Sequence, residues 1–223
     1  MVRNRALEEA NPPEGMVEKE GDYAFIPGAG SNPRKKPYRI DPLVGWSTMP
    51  EQSPWVQIRR SDHQPLNLDN PHSLQVDVTY SADRNDGVVN TGFFGMNLKK
   101  GLDYRLSLYA RAENFSGPLE VFLTDSNGRR VSTVMQITGM GSEWESFRGT
   151  LTAVENLDHG RLFFQPGSNG TFWLDVVSLF PGDTWDDGKS VFRADIMQNL
   201  KDYAPDFVRF PGGCLVHGVN IQT

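Results

Sequence analysis

One cysteine, Cys214, stands in a chain of 223 residues. No internal disulfide is therefore available, and the redox compartment cannot be read from thiol usage. The four histidines, His63, His72, His159 and His217, are scattered, with no HExxH, paired-His or CxxC spacing, so no zinc motif is present. No stretch approaches the roughly 20 apolar residues of a membrane helix, and Met1–Glu9 lacks the apolar core of a signal peptide. Basic residues are in deficit: 22 Lys+Arg stand against 28 Asp+Glu, giving a formal charge of -6 and a pI near 5.2. That balance argues against a nucleic-acid footprint or a membrane partner and suits a neutral polysaccharide.

What is present changes character along the chain. Residues 1 to about 40 are rich in Pro, Gly and charge (Asn11-Pro-Pro-Glu-Gly15, Pro27-Gly-Ala-Gly-Ser-Asn-Pro-Arg34), which predicts mostly loop. From about Ile40 short β-prone segments alternate with turn residues, the spacing of an all-β sandwich. Strands are expected at 55–60, 73–80, 87–93, 103–112, 119–124, 131–138, 143–151, 161–165 and 172–179. Alternation is clearest where Tyr104, Leu106, Leu108 and Ala110 share one face and Arg105, Ser107, Tyr109 and Arg111 the other. Asp125-Ser-Asn-Gly128 predicts a hairpin joining the fifth and sixth segments, with Asn-Gly supplying positive φ angles. So many strands over one domain predict a two-sheet jelly roll, and no internal repeat is visible.

The C-terminal part reads differently. Phe192, Ile196, Leu200 and Tyr203 fall on one face of an amphipathic helix. Pro205 is placed to stop it, and Phe207, Val208 and Phe210 form a short apolar strand. Pro211 ends that strand, and Gly212 and Gly213 let the backbone approach a ligand beside Cys214. The Gly-Gly pair is no phosphate cradle, lacking both GxGxxG spacing and a Gly-Lys-Ser/Thr ending. Cys214 with His217 lacks a third, orienting group for nucleophilic catalysis. Trp144 and Trp173 lie in strands and read as core. Trp46, Trp55 and Trp185 lie near loops and are the candidates for stacking on a sugar ring. No cofactor is expected; Asp175 or the Asp183–Asp187 stretch could contribute to a structural calcium site, but a solvated acidic turn is the preferred reading.

Several runs together carry a family resemblance. Arg209-Phe-Pro-Gly-Gly-Cys-Leu-Val-His-Gly218, Phe192-Arg-Ala-Asp-Ile196, Leu200-Lys-Asp-Tyr-Ala-Pro-Asp-Phe207 and Asn4-Arg-Ala-Leu-Glu8 resemble α-L-arabinofuranosidases of glycoside hydrolase family 51. Asn90-Thr-Gly-Phe-Phe-Gly-Met-Asn-Leu98, Tyr104-Arg-Leu-Ser-Leu-Tyr109 and Trp173-Leu-Asp-Val-Val-Ser-Leu-Phe-Pro181 are similar to the β-sandwich inserted near the start of the barrel in the plant-type branch. His217 and Leu7 stand where the family usually has Glu and Phe.

The resemblance implies a mainly β chain: a galactose-binding-like jelly-roll β-sandwich followed by one helix-strand unit of an incomplete (β/α)8 barrel. Residues 1–39 would be a barrel-derived N-terminal remnant and loop, 40–183 the carbohydrate-binding-like sandwich, and 184–223 the start of the barrel. It further implies retaining hydrolysis of terminal arabinofuranosyl residues in arabinan or arabinoxylan, within L-arabinose metabolism. That chemistry needs two carboxyl groups about 5 Å apart, which the family carries on later barrel strands, so this chain is expected to be inactive by itself. Gly212, Gly213 and Cys214 would bind substrate at the end of the second barrel strand. The partner would be an arabinose-containing polysaccharide or oligosaccharide, and the full-length family is expected outside the cell. Two other readings remain open: a free-standing carbohydrate-binding module, marked by exposed aromatics on one face or loop set, and a structural spacer, marked by an apolar face.

Overall fold

The computed structural model describes residues 1–8, 41–79 and 85–207, together with three short strands, β1 (Glu18–Glu20), β2 (Tyr23–Phe25) and β3 (Tyr38–Arg39). These three pair antiparallel as a small sheet, with Glu18 opposite Phe25 and Tyr23 opposite Arg39. The Pro/Gly-rich composition predicts mostly loop there; backbone pairing between short segments overrides it in these strands. The chain divides into two compact units, Met1–Gly182 and Asp183–Thr223.

The first unit is a sandwich of two antiparallel sheets. One contains β4 (Trp46–Met49), β7 (Gly87–Asn90), β8 (Met96–Leu98), β10 (Leu119–Thr124), β11 (Met135–Ile137) and β13 (Leu157–Pro166) in the order β11-β10-β13-β7-β4, with β8 also on β13. The other contains β5 (Val56–Ser61), β6 (Ser73–Val78), β9 (Asp103–Glu113), β12 (Glu145–Thr152) and β14 (Gly170–Pro181) in the order β12-β9-β14-β6-β5. The chain crosses repeatedly between sheets, as in a jelly roll.

The core follows from alternation. Tyr104, Leu106, Leu108 and Ala110 of β9 are buried, and so are Leu119, Val121 and Leu123 of β10 and Leu162 and Phe164 of β13 facing them from the other sheet. At the β10–β11 hairpin only Gly128 takes a positive φ, +83°, while Asp125 organises the turn. Asp125 Oδ1 accepts the N–H groups of Asn127 and Arg129, both at 2.9 Å. Burial pushes this carboxyl up, but those N–H groups and the Arg129 charge outweigh it and hold the pKa below the usual value. The hairpin is therefore an Asp-capped turn with one glycine, rather than a pair of positive-φ residues.

Residues 1–8 lie within this unit as an added segment. Asn90, fully buried at the end of β7, accepts Arg3 N–H on Oδ1 at 3.1 Å and donates Nδ2 to the Arg3 carbonyl at 2.9 Å. Trp46 Nε1 donates to the Asn4 carbonyl at 3.0 Å, and Val177 N–H donates to the Arg5 carbonyl at 2.9 Å. Leu7 is completely buried in the core, and His72 Nδ1 lies 2.9 Å from Glu8. Gly45 is required here: its φ is +85°, and a Cβ would sit 2.9 Å from Arg3 Cβ.

Docking of this segment coincides with a bulge in β14, where register shifts between Asp175 and Ser178 and Val176 adopts a φ of +47°. Asp175 is fully buried; Oδ1 accepts Val176 N–H at 2.6 Å, and Oδ2 has no partner. Its pKa is raised to about 7, chiefly by burial, with the Val176 N–H opposing, the Glu8 charge adding and the Arg5 charge opposing.

The second unit begins with a tight turn in which Thr184 Oγ1 donates to the Ser190 carbonyl at 2.6 Å and Trp185 N–H donates to the Phe192 carbonyl at 2.9 Å. Helix α1 (Ala194–Tyr203) follows, closed by Ala204 in the left-handed region, whose N–H reaches the Leu200 and Lys201 carbonyls. Its apolar face is open to solvent: Phe192, Ile196, Leu200 and Tyr203 are all exposed, as is Phe207. Val208 and Phe210 lie outside the described residues.

Two outcomes follow from the N-terminal docking. Leu7→Ala should lower unfolding free energy by about 2–5 kcal/mol in urea titration, and no effect would mean that residues 1–8 are not part of the core. The Asp175 carboxyl keeps its proton up to about pH 7 in the folded state, while the unfolded chain loses it near pH 4. Wild-type stability should therefore fall between about pH 4 and pH 7, by up to about 4 kcal/mol, and level off above pH 7. Asp175→Asn should abolish that slope in urea unfolding across the same pH range.

Candidate functional site

The residues singled out for substrate contact, Gly212, Gly213 and Cys214, lie outside the described residues, as does His217. The tryptophans do not form a stacking platform. Trp46, which the sequence left open between packing and binding, is core: its ring packs 5.9 Å from Phe164 and its N–H is used by Asn4. Trp55 is half-buried against the core, and Trp185 is half-buried with Lys201 Nζ 5.9 Å from its ring centroid.

On the outer face of the β12-β9-β14-β6-β5 sheet, Trp173 is only 3% exposed. The Arg111 guanidinium lies 3.7 Å from its ring centroid and 5.6 Å from that of Trp144. Arg111 Nη1 donates to Glu113 at 3.0 Å and Nη2 to the His63 carbonyl at 3.1 Å, while Trp144 Nε1 donates to the Gln64 carbonyl at 2.8 Å. The His63 ring, 6.2 Å from Trp173, completes the cover. The loop after β5 is thus pinned over this face, and the Trp173 ring is spent on a cation. Alternation predicts Arg111 on the polar side of β9, and it is there, but completely buried.

Carboxylates are arranged for structure too. The Glu8 charge adds to the upward shift of Asp175, yet Asp175 is enclosed and both Glu8 oxygens meet His72 at 2.9 Å. No glycosidic bond could reach between them. Among the described residues no group of three or more His, Cys, Asp or Glu is placed to hold a metal. Asp183, Asp186 and Asp187 are exposed, with Asp186 3.7 Å from Lys189.

The outer face of the other sheet is different. Val89, Phe122 and Phe163, from β7, β10 and β13, form a second buried apolar cluster there, joined by Met49 and Val134. The Phe122 and Phe163 rings stack with centroids 5.2 Å apart at 29°. Above them opens a cleft of about 610 Å³, walled by the Asp125–Arg130 hairpin on one side and by Met49, Pro50, Asn85 and Asp86 on the other. Gln165 Nε2 donates to Asn85 Oδ1 at 3.3 Å, Ser53 Oγ donates to Asp86, and the Arg130 guanidinium lies 5.8 Å from the Phe122 ring. Arg129 is neutralised by Asp125, at 3.1 Å, and by Glu155. Sequence pattern alone did not reveal this cleft, because its walls come from four separate stretches of chain.

A further exposed feature is the β7–β8 loop, where Phe93 is 57% and Phe94 92% exposed. Arg3 lies 5.6 Å from the Phe93 ring, and His159 Nδ1 is 3.1 Å from the Phe94 carbonyl.

No family model matches the chain. Among curated proteins it is 38% identical over 135 residues to Alpha-L-arabinofuranosidase 1 of Arabidopsis thaliana, covering 59% of this chain and 20% of that protein. It is likewise 38% identical over 131 residues to the Extracellular exo-alpha-L-arabinofuranosidase of Streptomyces chartreusis, covering 58% of this chain and 15% of that protein. The chain thus spans about a fifth or less of the length of these two relatives. A solved structure of an arabinose-bound family 51 α-L-arabinofuranosidase superposes with a TM-score of 0.67 at 29% identity, over 77% of this chain and 28% of the other. By sequence and by fold, over the residues matched, the chain is therefore a relative of the α-L-arabinofuranosidases of glycoside hydrolase family 51.

Proposed function

We propose that this chain is the sandwich-bearing portion of an α-L-arabinofuranosidase acting on terminal arabinofuranosyl residues of arabinan or arabinoxylan, and that the sandwich itself is non-catalytic. The observation that carries this is 38% identity over 135 residues to a plant α-L-arabinofuranosidase, together with the superposition of 77% of the chain on a family 51 enzyme. The carboxylates support the second half, since Asp175 is buried and Glu8 is engaged with His72, whereas retaining hydrolysis requires an open pair. Gly212, Gly213 and Cys214 remain the substrate-contact residues of this reading. In it the partner is an arabinose-containing glycan.

A structural calcium would involve Asp175 rather than the exposed Asp183–Asp187 turn. Asp175 Oδ2 is buried and unpartnered, and a calcium there would have to displace the Asp175 proton and draw Glu8 away from His72.

Three measurements test these statements. The purified chain should release no 4-nitrophenol from 4-nitrophenyl α-L-arabinofuranoside; turnover would place the chemistry within it and overturn the non-catalytic assignment. Residues 1–182, exchanged for the matching segment of the Arabidopsis relative, should give a soluble chimera that still hydrolyses arabinofuranosides, and a folded chimera without activity counts against the kinship of function. Millimolar calcium should raise Tm above that of the chelator-treated chain at pH 7, and identical melting curves dispose of the calcium site.

A further inference from the structure

We propose that the cleft over Phe122 and Phe163 is a binding subsite for a neutral oligosaccharide. The proposal rests on the carbohydrate-directed reading above and gives it a location. The first support is a departure from alternation. Outward positions on a sheet facing water are normally polar, yet Val89, Phe122 and Phe163 occupy neighbouring outward positions on three adjacent strands and are buried beneath the cleft. Core packing does not require them, since the inward positions of the same strands already fill the sandwich.

The second support is a built concavity. The Asp125–Arg130 hairpin leans over the sheet until Gly128 meets β4: a Cβ there would lie 2.7 Å from Met49 Sδ. Asp125 fixes that hairpin through three hydrogen bonds to Asn127 and Arg129. The resulting volume, about 610 Å³, falls within the range of roughly 300–1,000 Å³ typical of small-ligand sites.

Rim chemistry selects the ligand class. The Asn85 and Gln165 amides, the Arg130 guanidinium and the Asp86 carboxylate present donors and acceptors on both sides of an apolar floor. Planar amide, guanidinium and carboxylate groups can engage neighbouring sugar hydroxyls by exchanging the Gln165–Asn85 and Ser53–Asp86 hydrogen bonds for bonds to the ligand, while Phe122 and Phe163, 5% and 3% exposed, back the cleft rather than offer a bare stacking face. Arg129 is already neutralised by Asp125 and Glu155 and Arg130 is matched by Asp86 on the same cleft, so the cleft offers no surplus of positive charge for phosphate. Its polar rim equally disfavours a lipid.

Isothermal titration of the 223-residue chain with arabinoxylo- and arabino-oligosaccharides tests the proposal. Measurable binding is expected, weakened about tenfold or more by Arg130→Ala and by Gln165→Ala, the loss of roughly one good polar contact. Trp144→Ala, on the opposite sheet, should leave affinity unchanged, and thermal melts should show all variants folded. Asn85→Ala, at an exposed position, replaces either cleft variant if it fails to fold. Flat titrations with the wild-type chain, or binding that ignores the cleft variants and follows Trp144, overturn the subsite. Either result leaves the arabinofuranosidase reading standing on the chimera's hydrolysis, so the two fail separately.

Discussion

The side-chain amide of Asn90 holds the first unit together at its most improbable point. It reproduces with one residue the paired N–H and C=O contacts that a neighbouring strand would make, accepting from Arg3 and Gly92 and donating to Arg3. The first residues of the chain are thereby joined to β7, although the small sheet and the whole of β4 to β6 intervene in sequence. Burying such an amide costs free energy unless its bonds are made. Here they are made, and they fix the positions of Trp46, Leu7 and the β14 bulge together. Asp175 sits at that bulge, its pKa raised chiefly by burial, with the charges of Glu8 and Arg5 from the docked segment acting on it.

The two outer faces of the sandwich then meet opposite fates. On the five-stranded face, the Arg111 guanidinium stacks on Trp173 and ties the following loop down through the His63 carbonyl. That arrangement gains a cation–π contact of the order of 1–2 kcal/mol where it is desolvated, and it removes the aromatic surface from use. On the six-stranded face, the β10–β11 hairpin closes over a Phe pair and leaves a polar-rimmed hollow. A sandwich needs only its inner faces for stability, so what each outer face carries is free to serve recognition.

Much of the fold could be read from the chain. Alternation in β9, turn residues around β10 and the helix-then-Pro pattern near Ala204 place those elements within a residue or two, because each signal is local and repeats along the element. Strands β4 and β8, of four and three residues, are too short to show a period. The role of Trp46 stayed open in the sequence because it stands beside a loop, whereas its environment is made by Asn4 and Phe164 from distant segments. Arg111 was read correctly as facing outward, but outward does not mean exposed once a loop is laid over the sheet.

The sequence by itself determined the class of fold, the acidic character that disfavours nucleic acid, and the kinship with family 51 carried by its motif runs. Only the tertiary structure decided which aromatics are spent in packing, that Asp175 is enclosed with an unpartnered oxygen, and that Phe122, Phe163, Arg130 and Gln165 share one cleft. The physical reason is separation along the chain. Propensity and periodicity act between neighbours, while burial, desolvation and the convergence of polar groups on a hollow depend on residues that meet only when the two sheets close.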